Sequence, residues 1–264
     1  MLKTSLTIIV KQTGRVALIV ILLSGALIQQ VNAETLRVAV AANFKTTLEA
    51  LARDFEANSE HRLVLASGST GKHYAQILNG APFDLFFAAD VRRPALLEEQ
   101  QRSVPNSRFT YALGKLALWS PKADYVDREG AILASGDFRR LAMANPRLAP
   151  YGLAAKQVLK RRGLYATLQP RIVRGESIAQ TFQFVASGNA QLGFVALSQL
   201  QGTGISKQGS RWTIPQSLYD PIEQQALMLN DTPAARAFIT YIKSEPAGRI
   251  MRRFGYAAPS QERE

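Results

Sequence analysis

The stretch LRVAVAANFKTTLEALARDFEANSEHRLVLASGSTGKHYAQILNGAPFDLFFAAD, residues 36–90, decides the fold. LRVAVAA (36–42) is a short run of β-branched and small residues that reads as a strand. In FKTTLEALARDFEANS (44–59), Phe44, Leu48, Leu51, Ala52 and Phe55 recur at helical spacing, so an amphipathic helix follows at once. RLVLAS (62–67) is a second strand, GSTGKHYAQILNG (68–80) a turn and a helix ending near Gly80, and DLFFAAD (84–90) a third strand before a short helix in VRRPALLEEQ. Three β–α units in succession imply a mainly parallel sheet covered by helices. The right-handed crossover then brings the loops after all three strands to one edge, gathering Asn43, residues 67–71 and residues 88–90.

Beyond residue 108 the pattern changes and then resumes. RFTYALGKLALWSPK holds strand-like stretches broken by Gly114, and LAMANP (141–146) is a short apolar strand. APYGLAAKQVLKRRG (149–163) is a helix with basic residues in its last turn and a glycine after it. RIVRGES (171–177), a helix over 177–188 and the strand LGFVALSQL (192–200) repeat the β–α–β theme. IEQQALMLN (222–230) reads as a strand, and residues 232–256 as two closing helices around Pro246. The economical reading is an α/β protein of two lobes with mainly parallel sheets: residues 34–114 with 222–264 form the first, and residues 115–221 the second. The cleft between them is the expected ligand site.

Residues 1–33 read as a leader and not as part of this fold. MLKTSLTIIVKQTGR carries Lys3, Lys11 and Arg15 and no acid, VALIVILLSGALI is an apolar run, and Val31-Asn32-Ala33 ends a signal peptide cleaved after Ala33. The apolar run is short for a membrane span of about 20 residues. The expected location of the mature chain is outside the cytoplasm. Export also alters the charge argument. The whole chain has 32 basic and 20 acidic residues, a formal charge of +12, and loss of the leader leaves about +9. An exported protein meets little nucleic acid, so this excess favours small anions or an anionic surface instead. With no cysteine and two histidines, a thiolate nucleophile and a thiolate-held metal are both excluded, and no G-x-S-x-G elbow supports a serine hydrolase.

The candidate site is a set of helix starts. Asn43 lies between a strand and a helix, where it either caps that helix or presents amides to an anion. ASGSTGK (66–72) crowds Ser67, Ser69 and Thr70 with two glycines before a helix; the phosphate-loop pattern is absent, because Gly71-Lys72 is followed by His73. Ala149-Pro150-Tyr151-Gly152 opens a third helix, where Tyr151 offers a hydroxyl or simple packing, and Ile178 opens a fourth, offering a backbone N–H or an apolar wall. Four such N-termini around one cleft would bind an anion without a formal counter-charge.

Several segments taken in order, LRVAVAANF, LASGSTGKHYAQILNGAPFDLFFAAD, ANPRLAPYGLAAKQVL, VRGESIAQTFQFVASGNAQLGFVALSQ and RRFGY, resemble the periplasmic molybdate-binding ModA family, and they span residues 36 to 256. The resemblance implies the type II periplasmic-binding-protein fold and a monomeric receptor without catalytic residues or cofactor. It further implies molybdate or tungstate as ligand and a membrane ABC permease as partner, and it narrows the location to the periplasm. It carries the ligand positions to Asn43, to Ser69 and Thr70 with the principal one of the pair left open, and to Tyr151 and Ile178. Some members place a tyrosine in a G-I-V-Y segment; Gly193-Phe194-Val195-Ala196 has alanine there, so this chain is similar to the branch with asparagine and tyrosine at the first and third positions. The alternatives are a receptor for sulfate or phosphate, and an exported hydrolase.

Overall fold

A computed structural model describes residues 33–201 and 209–257. The leader read over residues 1–33 therefore lies, except for Ala33, outside the described residues.

Two five-stranded sheets organise the chain. The first is built from β1 (Thr35–Ala41), β2 (Arg62–Gly68), β3 (Leu85–Phe87), β4 (Phe109–Gly114) and β10 (Ile222–Met228), in the order β2-β1-β3-β10-β4. The second contains β5 (Leu116–Ser120), β6 (Leu141–Ala144), β7 (Ile172–Gly175), β8 (Leu192–Ala196) and β9 (Ser210–Thr213), in the order β7-β6-β8-β5-β9. β1 is parallel to β2 and β3, while β10 is antiparallel to β3 and β4. Likewise β6 is parallel to β7 and β8, while β5 is antiparallel to β8 and β9. Each sheet thus has one opposed strand, and in both cases it is the strand entered on crossing from the other sheet. Only Lys115 separates β4 from β5, so the chain leaves one sheet at its ligand-facing edge and enters the other running away from it.

Helices α1 (Lys45–Ala57), α2 (Thr70–Leu78) and α3 (Arg92–Glu99) follow β1, β2 and β3; α4 (Pro150–Arg161), α5 (Ile178–Ala186) and α6 (Leu197–Gln201) belong to the second half; α7 (Pro233–Ile242) and α8 (Glu245–Arg253) close the chain. Helix α1 turns Leu48, Leu51 and Phe55 onto the first sheet, as the spacing predicts, and each such burial contributes roughly 1.5–3 kcal/mol. Phe44 packs at its start, with ring centres 4.6 Å from Tyr111 and 5.2 Å from Tyr256. α7 and α8 cover the same core with Phe238, Ile242 and Ile250.

Two readings differ from the structure. The run LGFVALSQL is strand only to Ala196 and helix from Leu197, because the Leu197 N–H bonds to Lys115 O and Leu197 and Leu200 then share a buried helical face. An apolar run this short fits either period. Strand β9, over SRWT, escapes the sequence reading because it is a four-residue edge strand with one buried side chain, Trp212.

Candidate functional site

The loops after the parallel strands meet between the sheets. Residues 41–43 follow β1, residues 68–70 end β2 and start α2, and Ala89 follows β3; from the other side come residues 149–151 after β6 and Ile178 after β7. This is the edge where open α/β sheets bind ligands. Together the loops surround a cavity of only about 10 Å³. Organic ligands occupy roughly 300–1,000 Å³, so this space suits one small ion. Asn43, Ser69, Thr70, Tyr151 and Ile178 all line it, and no charged side chain among the described residues does.

The helix starts supply donors. The backbone N–H groups of Asn43, Ser69, Thr70, Tyr151 and Ile178 have no hydrogen-bond partner among the described residues. The first N–H groups of a helix lack an intrahelical acceptor, and together with the helix dipole they favour an anion. Ser69 adds a hydroxyl. It occupies the N-cap of α2 with extended backbone, yet its side chain makes no cap bond. Ser177, at the N-cap of α5, does accept from Gln180 N at 3.2 Å. An N-cap serine that is 5 % exposed and does not cap its own helix leaves its oxygen and proton for something else. The Thr70 oxygen accepts from Ala89 N at 3.0 Å, which fixes the hydroxyl and leaves its proton to donate.

Asn43 takes a different arrangement from the one its residue type suggests, whereas Tyr151 keeps a hydroxyl proton to donate. The cap of α1 is Phe44, and the Asn43 side chain turns inward, its Nδ2 donating to Gln224 Oε1 at 2.8 Å and to the Tyr256 hydroxyl at 3.0 Å. Both amide protons are therefore engaged, and the donor that Asn43 offers the cavity is its backbone N–H. The Tyr151 hydroxyl accepts from Gln224 Nε2 at 3.4 Å. Burial pushes the Tyr151 and Tyr111 hydroxyls well above the ordinary phenol range and Tyr256 up to about 12, so all three stay protonated and neutral. Glycines shape the space. A Cβ on Gly152 would lie 2.2 Å from Ala144 O, and one on Gly114 would lie 2.3 Å from the Tyr151 hydroxyl.

Direct bonds hold the two halves together around the cavity. Gly71 N donates to Leu148 O at 2.9 Å, Arg93 Nη2 to Arg147 O at 2.9 Å, and Ser198 Oγ to Asn43 O at 3.0 Å. Asp90 does not line the cavity; it accepts from Arg93 N at 3.1 Å and pairs with the Arg93 guanidinium. Ala196 is buried at the end of β8 and is likewise outside the lining. His61 accepts from Glu34 N at 3.2 Å, and His73 packs on Phe83 and Phe86. Among the described residues no three His, Asp or Glu side chains gather into a metal-binding group.

Sequence reasoning missed Gln224, Tyr111 and Ser198, all buried behind the cavity wall. One signal was present: Gln224 stands two positions from Ile222 on the inward face of the strand of residues 222–228, and a polar residue facing a core needs partners.

Known proteins place this geometry in a family. Residues 36–257 match the bacterial extracellular solute-binding protein family. The chain is 47% identical over 242 residues to the molybdate-binding protein ModA of Azotobacter vinelandii, covering 90% of this chain and 96% of that one. It is 43% identical over 221 residues to ModA of Rhodobacter capsulatus, covering 83% and 86%. Among solved structures, the Azotobacter vinelandii periplasmic molybdate-binding protein superposes with a TM-score of 0.82 at 45% identity, over 85% of this chain and 99% of that one. A sulfate-binding protein of Mycobacterium tuberculosis, 14% identical with a TM-score of 0.67 over 87% and 88%, shares the fold alone. The chain belongs to the periplasmic molybdate-binding protein ModA family, α/β two-lobed solute-binding proteins that serve transport and not catalysis.

Proposed function

We propose that this protein captures molybdate, and tungstate with it, in the periplasm and delivers the anion to a membrane ABC permease. One observation carries the reading: a small cavity lined by N–H groups from four helix starts and by an N-cap serine whose hydroxyl caps nothing, with no partner for those N–H groups and no charged side chain in the wall among the described residues. The relatives named for molybdate support the choice of anion. Asn43, Tyr151 and Ile178 would contribute N–H donors, and Ser69 and Thr70 hydroxyls as well.

Such a wall gives donors and few acceptors. It suits a fully deprotonated tetrahedral dianion, which only accepts hydrogen bonds, and it disfavours a protonated phosphate, whose own O–H needs an acceptor. Hydrogen bonds to charged groups contribute about 1.5–3 kcal/mol each, and a low-dielectric interior strengthens them. Molybdate and tungstate are nearly equal in size and would bind alike, whereas the smaller sulfate would leave some donors out of reach. Closure of the lobes, residues 34–114 with 222–264 against residues 115–221, would trap the ion and form the surface that the permease reads. The mature receptor, released from its leader after Ala33, would work as a monomer and without a cofactor.

The test is equilibrium titration of the mature protein with molybdate, tungstate, sulfate and phosphate. Tight binding of the first two with weak binding of the others is expected. At a hundredfold excess over Kd, the ligand should add about 2.7 kcal/mol of stability. Tight sulfate binding with no response to molybdate would instead make this a sulfate receptor.

A further inference from the structure

We infer that Gln224 is the positioning residue that couples the two halves of the anion cage, holding one corner from each sheet in the arrangement that retains the ligand. The inference rests on the oxyanion reading above and goes on to say which residue sets how long the ion stays.

Gln224 is fully buried on β10, and its amide sits behind the cavity. Its Oε1 accepts from Asn43 Nδ2 at 2.8 Å, and it shares the single Tyr111 hydroxyl proton with Ala88 O, each oxygen 3.0 Å from the Tyr111 hydroxyl. Its Nε2 donates to the Tyr151 hydroxyl at 3.4 Å. Asn43 follows β1 of the first sheet, and Tyr151 opens the helix after β6 of the second. One side chain therefore holds a cage residue from each half.

Local backbone geometry aims it there. The β10–β4 register slips between Gln224, opposite Ala112, and Gln225, opposite Thr110, so Tyr111 is the extra residue of a bulge. A bulge re-aims side chains next to a site, and here Tyr111 and Gln224 meet. Gly114, at the end of β4, leaves the room: a Cβ there would stand 2.3 Å from the Tyr151 hydroxyl and 2.7 Å from Gln224 Nε2. Gln224 also occupies the strand by which the chain returns from the second sheet, so a rotation of the halves would strain this contact. The Tyr151 contact is the longest of its three bonds and the one that spans the sheets.

A glutamine that only satisfies the core would stabilise the fold without preferring the closed, loaded state. Gln224→Met separates the two roles, because it keeps the volume and removes every hydrogen bond that the amide makes. In Gln224→Glu the ionised carboxylate accepts from Asn43, Tyr111 and the Tyr151 hydroxyl alike but places a negative charge behind the cavity; when protonated it regains a donor of nearly the same shape and loses the charge. The titratable groups facing it are Tyr111, Tyr151 and Tyr256, all protonated below pH 9, with Asp90 acting on Tyr111 from farther off and already paired with Arg93. A buried glutamate beside an anion titrates well above the usual carboxylate range, so lowering the pH from 8.5 to 6 should restore its proton.

The experiment measures molybdate association and dissociation rates at pH 8.5 and 6 for wild type, Gln224→Glu and Gln224→Met, with ligand-free melting curves as the check on folding. The expected result is a dissociation rate at least tenfold faster for Gln224→Glu at pH 8.5, with association within threefold, and recovery of most of the loss at pH 6 while wild type changes less than twofold. Gln224→Met, of similar volume and without hydrogen bonds, should show the fast dissociation at both pH values, and it decides the question if the glutamate variant does not fold. Wild-type dissociation rates in the folded variants overturn the role of Gln224 and leave the receptor reading intact. Failure of wild type to bind molybdate overturns both.

Discussion

The Ser198 hydroxyl donates to the main-chain oxygen of Asn43 at 3.0 Å across 155 positions of sequence, tying the start of α6 in one half to the loop after β1 in the other. Tyr256 reinforces the same point, its hydroxyl 2.9 Å from Asn43 O and 3.0 Å from Ser198 Oγ. The carbonyl of residue 43 is thus anchored to both halves, which restricts the neighbouring peptide that carries the Asn43 N–H at the cavity wall.

Ser198→Ala removes one of these ties and leaves the Tyr256 bond in place. A net hydrogen bond contributes about 0.5–1.5 kcal/mol. Since this one bridges the halves, its loss should fall on the closed state, weakening molybdate binding several-fold through faster release. Stopped-flow dissociation alongside ligand-free melting checks this: an unchanged release rate with a lowered melting temperature would show that the bond serves folding only.

Ser69→Ala and Ser177→Ala should part company although both residues are N-cap serines. Ser69 makes no cap bond, so its loss should leave the ligand-free melting temperature nearly unchanged while weakening molybdate binding by tenfold or more, the loss of one charge-assisted bond of about 1.5–3 kcal/mol. Ser177 caps Gln180 N, so its loss should cost about 1 kcal/mol of stability. Titration and thermal melting of the pair decide it; equal effects on binding would remove Ser69 from the cage.

Much of this was legible in the chain. Strand and helix periods in residues 36–90 fix the first three β–α units, and with them the edge where Asn43, Ser69 and Thr70 gather. The second half is legible from Pro150 and Gly152, which mark a helix start pressed against β6. Side-chain direction was not legible. Residue type presents Asn43 as a side-chain donor to the ligand, yet its amide protons go to Gln224 and Tyr256, and the Tyr151 oxygen also meets Gln224, a residue more than seventy positions from either. Local pattern carries no information about partners that only the closing of two sheets brings together. The short edge strand β9 and the strand-to-helix switch at Leu197 were hidden for a simpler reason, since four or five residues hold too few periods to tell one structure from another.

Gly152→Ala should disrupt the second half's contribution to the cage. The added methyl would lie 2.2 Å from Ala144 O, which is backbone at the end of β6 and cannot swing away. Relief requires the first turn of α4 to shift, carrying the Tyr151 N–H with it. Overpacking of this kind costs about 1–3 kcal/mol. Reduced thermal stability and loss of most molybdate affinity are expected together, measured by melting with and without ligand. Full binding in the variant would mean that the start of α4 does not hold the ion.

Acid should loosen the site from beneath through His73. The ring is 3 % exposed, its Nδ1 lies 2.9 Å from Gln76 Oε1, its Nε2 has no partner by hydrogen-bond geometry, and a Cβ on Gly68 would come within 2.9 Å of that nitrogen. Burial lowers its pKa below the ordinary 6.5, the Gln76 and Val40 contacts opposing this only in part. A histidine depressed on folding binds its proton more readily in the unfolded chain. Its contribution to stability is therefore full above about pH 6.5 and is lost as the pH falls from there toward and below the depressed value. Because the ring packs under Gly68, the residue before Ser69, the loss should reach the serine loop. Wild type should melt at lower temperature at pH 5 than at pH 7 and release molybdate faster, and His73→Gln, neutral at both, should show a smaller difference between the two. A pH dependence of the same size in His73→Gln would assign the acid sensitivity to other groups.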